Sequence, residues 1–165
     1  MNNVGHTHSL FLGYLLPVKK HLYNFIRKSL NFSTEADDVF QETLLKGFRY
    51  FHSFNRSQSF KTWIFTIAHN LVKDAFTAKS KVKPPLSLEE AGEIAIVEDD
   101  GVREIYAIAA ALTPRQREVF FLYYYNEFKI SEIMEITGLS RANIKFILHQ
   151  ARKSIKKTLD IGGAR

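Results

Sequence analysis

The chain contains no cysteine. That excludes disulfides, thiolate metal sites and cysteine nucleophiles, and it fits a reducing compartment. Proline is sparse, at 4 of 165 residues, and two of these are the adjacent Pro84 and Pro85. No stretch approaches the ~18 consecutive apolar residues that a membrane span needs, so no membrane insertion is expected. The early apolar stretch from Leu10 to Leu16 is short, is interrupted by Gly13 and ends at Pro17. It lacks a secretory pattern, and the expected location is cytoplasmic. Apolar–polar alternation at a period of two is missing, which predicts an all-α protein. Catalytic signatures are missing too: there is no Gly-rich phosphate loop and no Ser/His/Asp order with local support. His6 and His8 lie one residue apart in a terminus expected to fray, with no carboxylate nearby. His21, His52 and His69 stand singly and read as surface or packing residues. The carboxylate pairs Asp37-Asp38 and Asp99-Asp100 read as helix-terminus and linker charges. No catalytic residue, metal site or cofactor is expected, and the protein is not expected to be an enzyme.

What the chain does have is charge, unevenly spread. Its formal net charge is +6. Met1 to Lys83 holds 12 basic and 5 acidic residues, Pro84 to Glu104 holds 1 and 7, and Ile105 to Arg165 holds 10 and 5. Two basic blocks thus flank an acidic one. Basic blocks attract polyanions, of which nucleic acid is the largest in a cell, although a solvated basic surface gives the same balance. Pro84-Pro85 resists helix and marks a break. The expected organisation is two small helical domains, 1–79 and 101–165, joined by an acidic linker at 80–100 with at most a short helix near Leu88 to Ile94.

Helical periodicity fills both blocks. The first reads as three helices. Tyr14 to Leu30 carries Leu15, Val18, Leu22, Phe25, Ile26 and Ser29 on one side, with Pro17 as a kink or a start. Thr34-Glu35-Ala36-Asp37 resembles a capping box. Ala36, Phe40, Leu44, Gly47, Phe48 and Phe51 follow on one face. After the loop Ser53 to Gln58, the period resumes at Phe60 with Ile64, Ile67, Ala68, Leu71 and Ala75. In the second block, Val102 to Leu112 makes a short helix. Thr113-Pro114-Arg115-Gln116 is a helix start with a Thr cap, Pro at the first position and Gln three residues after the cap. Ile130 to Ile136 and a helix from Ser140 to about Leu159 flank the turn Thr137-Gly138-Leu139. That arrangement fits a helix-turn-helix, with Gly138 as the left-handed turn residue. Ile133, Met134, Leu139, Ile144 and Ile147 form its back. Arg141, Ala142, Lys145, Phe146, His149 and Arg152 form a polar front of the kind that reads a groove, or an ordinary basic hairpin face. In the first block, aromatic and basic residues interleave from Arg49 to Lys61, a mixture that suits single-stranded nucleic acid. Phe51, Phe54 and Phe60 read as core there, and Ser53, Asn55, Arg56, Ser57 and Gln58 as contact candidates.

Several of these segments, taken in order, resemble the bacterial RNA polymerase sigma factors of the extracytoplasmic-function (ECF) group. The resemblance rests on Ala36-Asp37-Asp38-Val39-Phe40-Gln41-Glu42, Phe54, Ser59-Phe60-Lys61-Thr62-Trp63-Ile64, and Ile67-Ala68-His69-Asn70 with Asp74. In the second block it rests on Leu112 to Val119, Glu132-Ile133, Gly138-Leu139-Ser140 and Ile144-Lys145. It spans about Leu10 to Leu159. It implies a non-enzymatic factor that binds core RNA polymerase, directs it to specific promoters and helps open the DNA. It also makes an anti-sigma partner an expectation.

Site residues follow from the same resemblance. Asp38, Gln41, Glu42 and Leu45 match the polymerase-docking face. Asn55, Arg56, Ser57 and Lys61 fall in or beside the loop that captures minus-ten bases. Asn70 and Lys73 match promoter-facing positions on the next helix. Lys145, Phe146, His149 and Gln150 match positions that reach the minus-thirty-five groove, with Arg115, Arg141 and Arg152 on phosphates. Departures exist. His69 stands where Arg is frequent, and Phe76-Thr77-Ala78 where a basic run is frequent, with charge returning only at Lys79, Lys81 and Lys83. Met134 replaces a small residue at the helix crossing, and Phe146 and Ile147 replace polar ones, so base preference does not transfer from relatives. Two other readings stay open at this level: a stand-alone dimeric helix-turn-helix regulator, and a nucleic-acid-processing enzyme, for which a carboxylate or metal cluster is lacking.

Overall fold

Proline 17 has no N–H to give a helix, and it divides the first block differently from the periodicity. In a computed structural model, which describes residues 3–81 and 100–162, α1 (Asn3–Leu15) ends just before it and α2 (Lys19–Ser29) starts just after it. Of the two expectations for Pro17, a kink or a helix start, the start holds, and the stretch from Tyr14 to Leu30 is divided between two helices. The expected fraying of the first residues is also corrected, because α1 is anchored by tertiary packing. Its Phe11 and Leu15 are buried, and the Phe11 ring meets Phe48, Phe51 and Phe60 edge-on at 5.4–6.0 Å between centroids. Glycine 47 permits this approach. A Cβ there would stand 2.6 Å from Ile64 Cδ1 and 3.3 Å from Phe11 Cζ.

The chain then turns through Asn31 and Phe32, both at left-handed φ (52° and 59°), into α3 (Glu35–Tyr50). Threonine 34 is already in helical conformation and makes no side-chain cap, contrary to the capping-box reading. A cap needs an extended backbone at that residue to aim its oxygen at the following N–H groups. Here the Ser33 carbonyl accepts the Ala36 N–H at 3.1 Å instead. A 3₁₀ turn (Phe51–Ser53) leads through a loop to α4 (Phe60–Lys81), which lies along α2 and α3.

The second block holds α5 (Asp100–Ala111), α6 (Pro114–Tyr124), α7 (Ile130–Thr137) and α8 (Arg141–Gly162). Most of the expected linker, and its possible short helix, lies outside the described residues. Among the described residues there is no strand, and no helix is long and apolar enough to cross a membrane.

The two blocks pack on each other, α2 against α6 and α4 against α7. One hydrophobic cluster runs through both. Phe65 of α4 meets Phe128 at 4.9 Å, and Phe32 meets Tyr106 at 4.0 Å. Polar groups cross the same interface. The Arg117 Nη1 donates to the Ser29 carbonyl (3.2 Å), the Lys61 Nζ to the Asn126 carbonyl (2.6 Å), and the His69 Nδ1 lies 2.5 Å from Glu118 Oε1.

Candidate nucleic-acid interface

Local signals position the helix-turn-helix. At the start of α6, Thr113 Oγ1 accepts the Gln116 N–H (3.3 Å) and Gln116 Oε1 accepts the Thr113 N–H (3.1 Å), the reciprocal box the sequence predicts. After α6, Glu127 adopts φ 56° and Asn126 Nδ2 donates to the Phe121 carbonyl at 2.9 Å, which closes the turn into α7. Gly138 takes φ 71° and its N–H reaches the Met134 carbonyl. Ser140 Oγ accepts the Asn143 N–H at 3.2 Å and starts α8. Ile144, Ile147, Leu148 and Ala151 bury the inner side of α8. Met134 is half-buried against this core. The outer side presents Arg141, Lys145, Phe146 and His149 to solvent, and Gln150 stands half-buried at its edge. Phe146 is 60% exposed, an unusual state for a phenyl ring on a folded helix. Arg115 is exposed at the start of α6. Arg152 is exposed and donates to the Tyr124 hydroxyl at 3.0 Å.

The first block builds its loop on an aromatic platform. Phe51, Phe54 and Phe60 are buried, as the packing reading predicts, and Trp63 joins Phe54 at 5.1 Å. The rings hold the chain ends while the tip carries the polar groups. Asn55 Oδ1 accepts both the N–H (3.0 Å) and the hydroxyl (2.8 Å) of Ser57, a compact turn that leaves Asn55, Arg56, Ser57 and Gln58 exposed. Ser59 Oγ accepts the Thr62 N–H and starts α4. Asn70 and Lys73 are exposed further along that helix.

Lys61 is the exception among the loop-side candidates. It is half-buried and turned toward the second block, with its ammonium on the Asn126 carbonyl and 4.4 Å from the Phe128 ring centre. Burial pulls its pKa below the ordinary lysine value, while Glu132 and Glu127 push the other way. His69, read as a surface or packing residue, is buried against Glu118. On α3, Asp38 and Gln41 are exposed, Glu42 is half-buried, and Leu45 is 62% exposed. Leu45 therefore offers apolar area on an otherwise polar arc. Among the described residues no three His, Cys, Asp or Glu side chains gather as a metal set. His8 instead packs its ring on Phe48 at 5.8 Å.

Sequence reasoning passed over Arg117. It lies two residues beyond the exposed Arg115, yet it is buried with all its hydrogen bonds on main-chain carbonyls. Only its placement inside the buried run to Leu122 distinguishes the two.

Comparison with known proteins agrees with this layout. Residues 15–82 match the family model of sigma-70 region 2, and residues 103–155 match that of sigma-70 region 4. The ECF RNA polymerase sigma factor SigM of Bacillus subtilis is 28% identical over 148 residues, with 86% of this chain and 90% of the relative covered. SigW of the same organism is 27% identical over 158 residues, covering 86% and 84%. Among solved structures, the sigma factor RpoE bound to the anti-sigma factor NepR, from Bartonella quintana, superposes with a TM-score of 0.72 at 23% identity, covering 89% of this chain and 94% of that one. CnrH in complex with the cytosolic domain of CnrY gives 0.62 at 20%, covering 90% and 88%. A match to region 2 in the first block leaves the dimeric-regulator reading without support. The helix-turn-helix, the loop-bearing helical block before it and the two family matches in that order establish that the chain belongs to the sigma-70 family, as a promoter-specificity factor of RNA polymerase in the ECF group.

Proposed function

We propose that this sigma factor divides its work between residues 1–79 and 101–165, with 80–100 as the connection. Asp38, Gln41, Glu42 and Leu45 dock on core polymerase. Asn55, Arg56, Ser57, Lys61, Asn70 and Lys73 engage the minus-ten element as a single strand. Lys145, Phe146, His149 and Gln150 face the minus-thirty-five duplex, with Arg115, Arg141 and Arg152 on its phosphates. The observation that carries the reading is the outer side of α8. It offers cations, a glutamine and an exposed ring on one surface, backed by a buried apolar side. Polymerase and promoter place its action in the cytoplasm. An anti-sigma factor is a further expected partner, supported by two structural neighbours that are complexes with such proteins or with a partner's cytosolic domain.

The test is transcription with purified core polymerase on a promoter library, followed by variants that fail in different ways. Glutamine can donate to and accept from adenine, and a phenyl ring can meet a thymine methyl, whereas lysine on phosphate carries no sequence information. Gln150→Ala should relax preference at one base pair and cost about 1–3 kcal/mol on the best minus-thirty-five site. Lys145→Ala should weaken all sequences alike and make the salt slope shallower by roughly one unit. Binding to a randomised duplex at several salt concentrations separates the two. Reversed behaviour would exchange the roles of these residues.

Docking has its own readout. Gln41→Ala with Glu42→Ala should change stability by about half a kcal/mol or less, as surface substitutions usually do, and still reduce co-elution with core enzyme. Undiminished co-elution removes both residues from the interface.

A further inference from the structure

A bond at the surface of the second block joins a residue already placed on phosphate to one with no role so far. Arg152 Nη1 of α8 donates to the Tyr124 hydroxyl at the end of α6, 28 residues away in sequence, at 3.0 Å. The Tyr124 ring lies 4.7 Å from that of the buried Phe120 and meets Tyr123 edge-on at 5.0 Å. The core thus holds the phenol on one side, while the residue stays 44% exposed.

Chemistry fixes the direction of this bond. A guanidinium carries donors and no acceptor, so the phenolic oxygen accepts and its own hydrogen stays available. Among the described residues no acceptor takes that hydrogen, nor any further N–H of Arg152. Asp160 lines the groove beside Arg152 but makes no ion pair with it. Two donors, one cationic and one neutral, are therefore joined and still have hydrogens to give.

Their place on α8 says to what. At 3.6 residues per turn, Arg141, Lys145, Arg152 and Lys156 fall within about 60° of one another about the helix axis. All four are exposed, and they make a cationic stripe along one flank of the helix. Among the described residues, Arg152 alone of these four is bonded to a side chain of another helix. A free arginine gives up rotamer entropy when it is fixed on a ligand, and a side chain held beforehand gives up less.

We propose that Tyr124 is a positioning residue for DNA: its hydroxyl holds the Arg152 guanidinium and gives its own hydrogen to the phosphate that Arg152 meets. One cation and one neutral donor then seat a single phosphate of the minus-thirty-five duplex. The inference rests on the proposed placement of Arg152 on phosphate. The two donors leave different marks on binding. Arg152 neutralises a phosphate and releases counterions, so it contributes to the salt slope; the phenol adds affinity without charge and leaves the slope alone.

The experiment uses holoenzyme assembled from core polymerase and the full chain, as parent, Tyr124→Phe, Arg152→Ala and the double variant. Assembly is measured first, because Arg152 also borders an apolar groove of Phe120, Ile155 and Leu159 that suits a protein partner. Binding is then measured to a minus-thirty-five duplex selected from a randomised pool, and to copies with one phosphate at a time replaced by a neutral methylphosphonate. Tyr124→Phe should weaken binding to the unmodified duplex about fivefold, at an unchanged salt slope and base preference. Arg152→Ala should weaken it further and make the slope shallower by roughly one unit. In both variants the loss caused by methylphosphonate should shrink at one and the same position, and the double variant should lose less than the product of the single losses. Parent affinity in Tyr124→Phe would overturn the seat. So would a shrinkage at a different position from that of Arg152→Ala, or an equal one at every position. If Arg152→Ala changes the loss at some phosphate and Tyr124→Phe at none, the phosphate role of Arg152 stands and the seat alone falls. If Arg152→Ala changes it at none, that role falls and the seat with it. Reduced assembly at parent DNA binding would give the pair to a protein contact and overturn the seat.

Discussion

Arg117→Met is expected to lower the unfolding free energy of the full chain by about 3 kcal/mol or more. The guanidinium is 7% exposed and serves three main-chain acceptors: Nε on Ala109 (2.8 Å), Nη2 on Leu112 (3.0 Å) and Nη1 on Ser29 (3.2 Å). The Ala109 and Leu112 carbonyls lie at the C-terminal end of α5, and Ser29 is the last residue of α2. The final carbonyls of a helix have no partner within it, and together they form the negative end of its dipole. One planar cation therefore closes two helix ends from different blocks. Burial pulls its pKa below the ordinary arginine value, but a guanidinium keeps its proton.

Methionine preserves the apolar stem and takes the donor from the Leu112 and Ser29 carbonyls, while the Ala109 carbonyl keeps only the long bond from the Leu112 N–H at 3.4 Å. Each buried unsatisfied group costs about 1–3 kcal/mol, and water reaching the Ser29 carbonyl recovers part of the sum. Arg117→Lys should rescue little, because an ammonium is a point donor and cannot reproduce the fork. Urea unfolding gives the answer through its midpoint at an unchanged slope. A loss below about 1 kcal/mol for Arg117→Met would show that the three bonds are redundant.

The contrast between Arg117 and Arg115 shows where sequence reading stops. The starts of α6 and α8 and the turn at Gly138 were legible, because each depends on groups within a few residues. Thr113 finds Gln116, Ser140 finds Asn143, and Gly138 needs only a missing Cβ. The buried phenyl rings were legible for a related reason: their spacing already places them on one side of the chain. Thr34 carries a similar local pattern, with Asp37 where Thr113 has Gln116, but it is already helical and makes no cap, after a turn through the left-handed pair Asn31-Phe32. The helicity of α1 was not legible either. It comes from Phe11 and Leu15 packing onto a surface that Gly47 opens, and that surface lies more than thirty residues away in sequence.

The interface between blocks is further still from local pattern. Its bonds join residues separated by 49, 65 and 88 positions. Nothing in a helical period marks Lys61 as different from Lys73, or His69 as a partner for Glu118. The resemblance to ECF factors placed Lys61 near the promoter, a role that the packing neither requires nor forbids. What packing adds is the contact of Lys61 with the Asn126 carbonyl.

His69→Leu and Glu118→Leu should each open the chain, and the double variant should close it again. The Nδ1–H of His69 donates to the Glu118 carboxylate at 2.5 Å, and each residue is 8% exposed. Taking His69 away leaves the Glu118 side chain buried without that hydrogen bond. Leaving one member of a buried hydrogen-bonded pair without its partner costs about 1–3 kcal/mol, more for a charged group, whereas replacing both with apolar residues of similar shape is often neutral or stabilising. The location of the pair decides what that free energy acts on. Glu118 belongs to α6 and His69 to α4, so on the proposed division into residues 1–79 and 101–165 separating the blocks would return the stranded carboxylate to water. The loss therefore falls on closure and cannot exceed the free energy of closure itself. Small-angle scattering reads this directly, because a compact chain of this length has a radius of gyration of about 15 Å. The parent and the double variant should lie near that value, and both single variants should be clearly larger with unchanged helix content by circular dichroism. Single variants as compact as the parent would show that apolar contacts such as Phe65 with Phe128 hold the blocks together without the pair. A double variant as open as the singles would show instead that the pair supplies net attraction, against the usual balance for buried polar pairs.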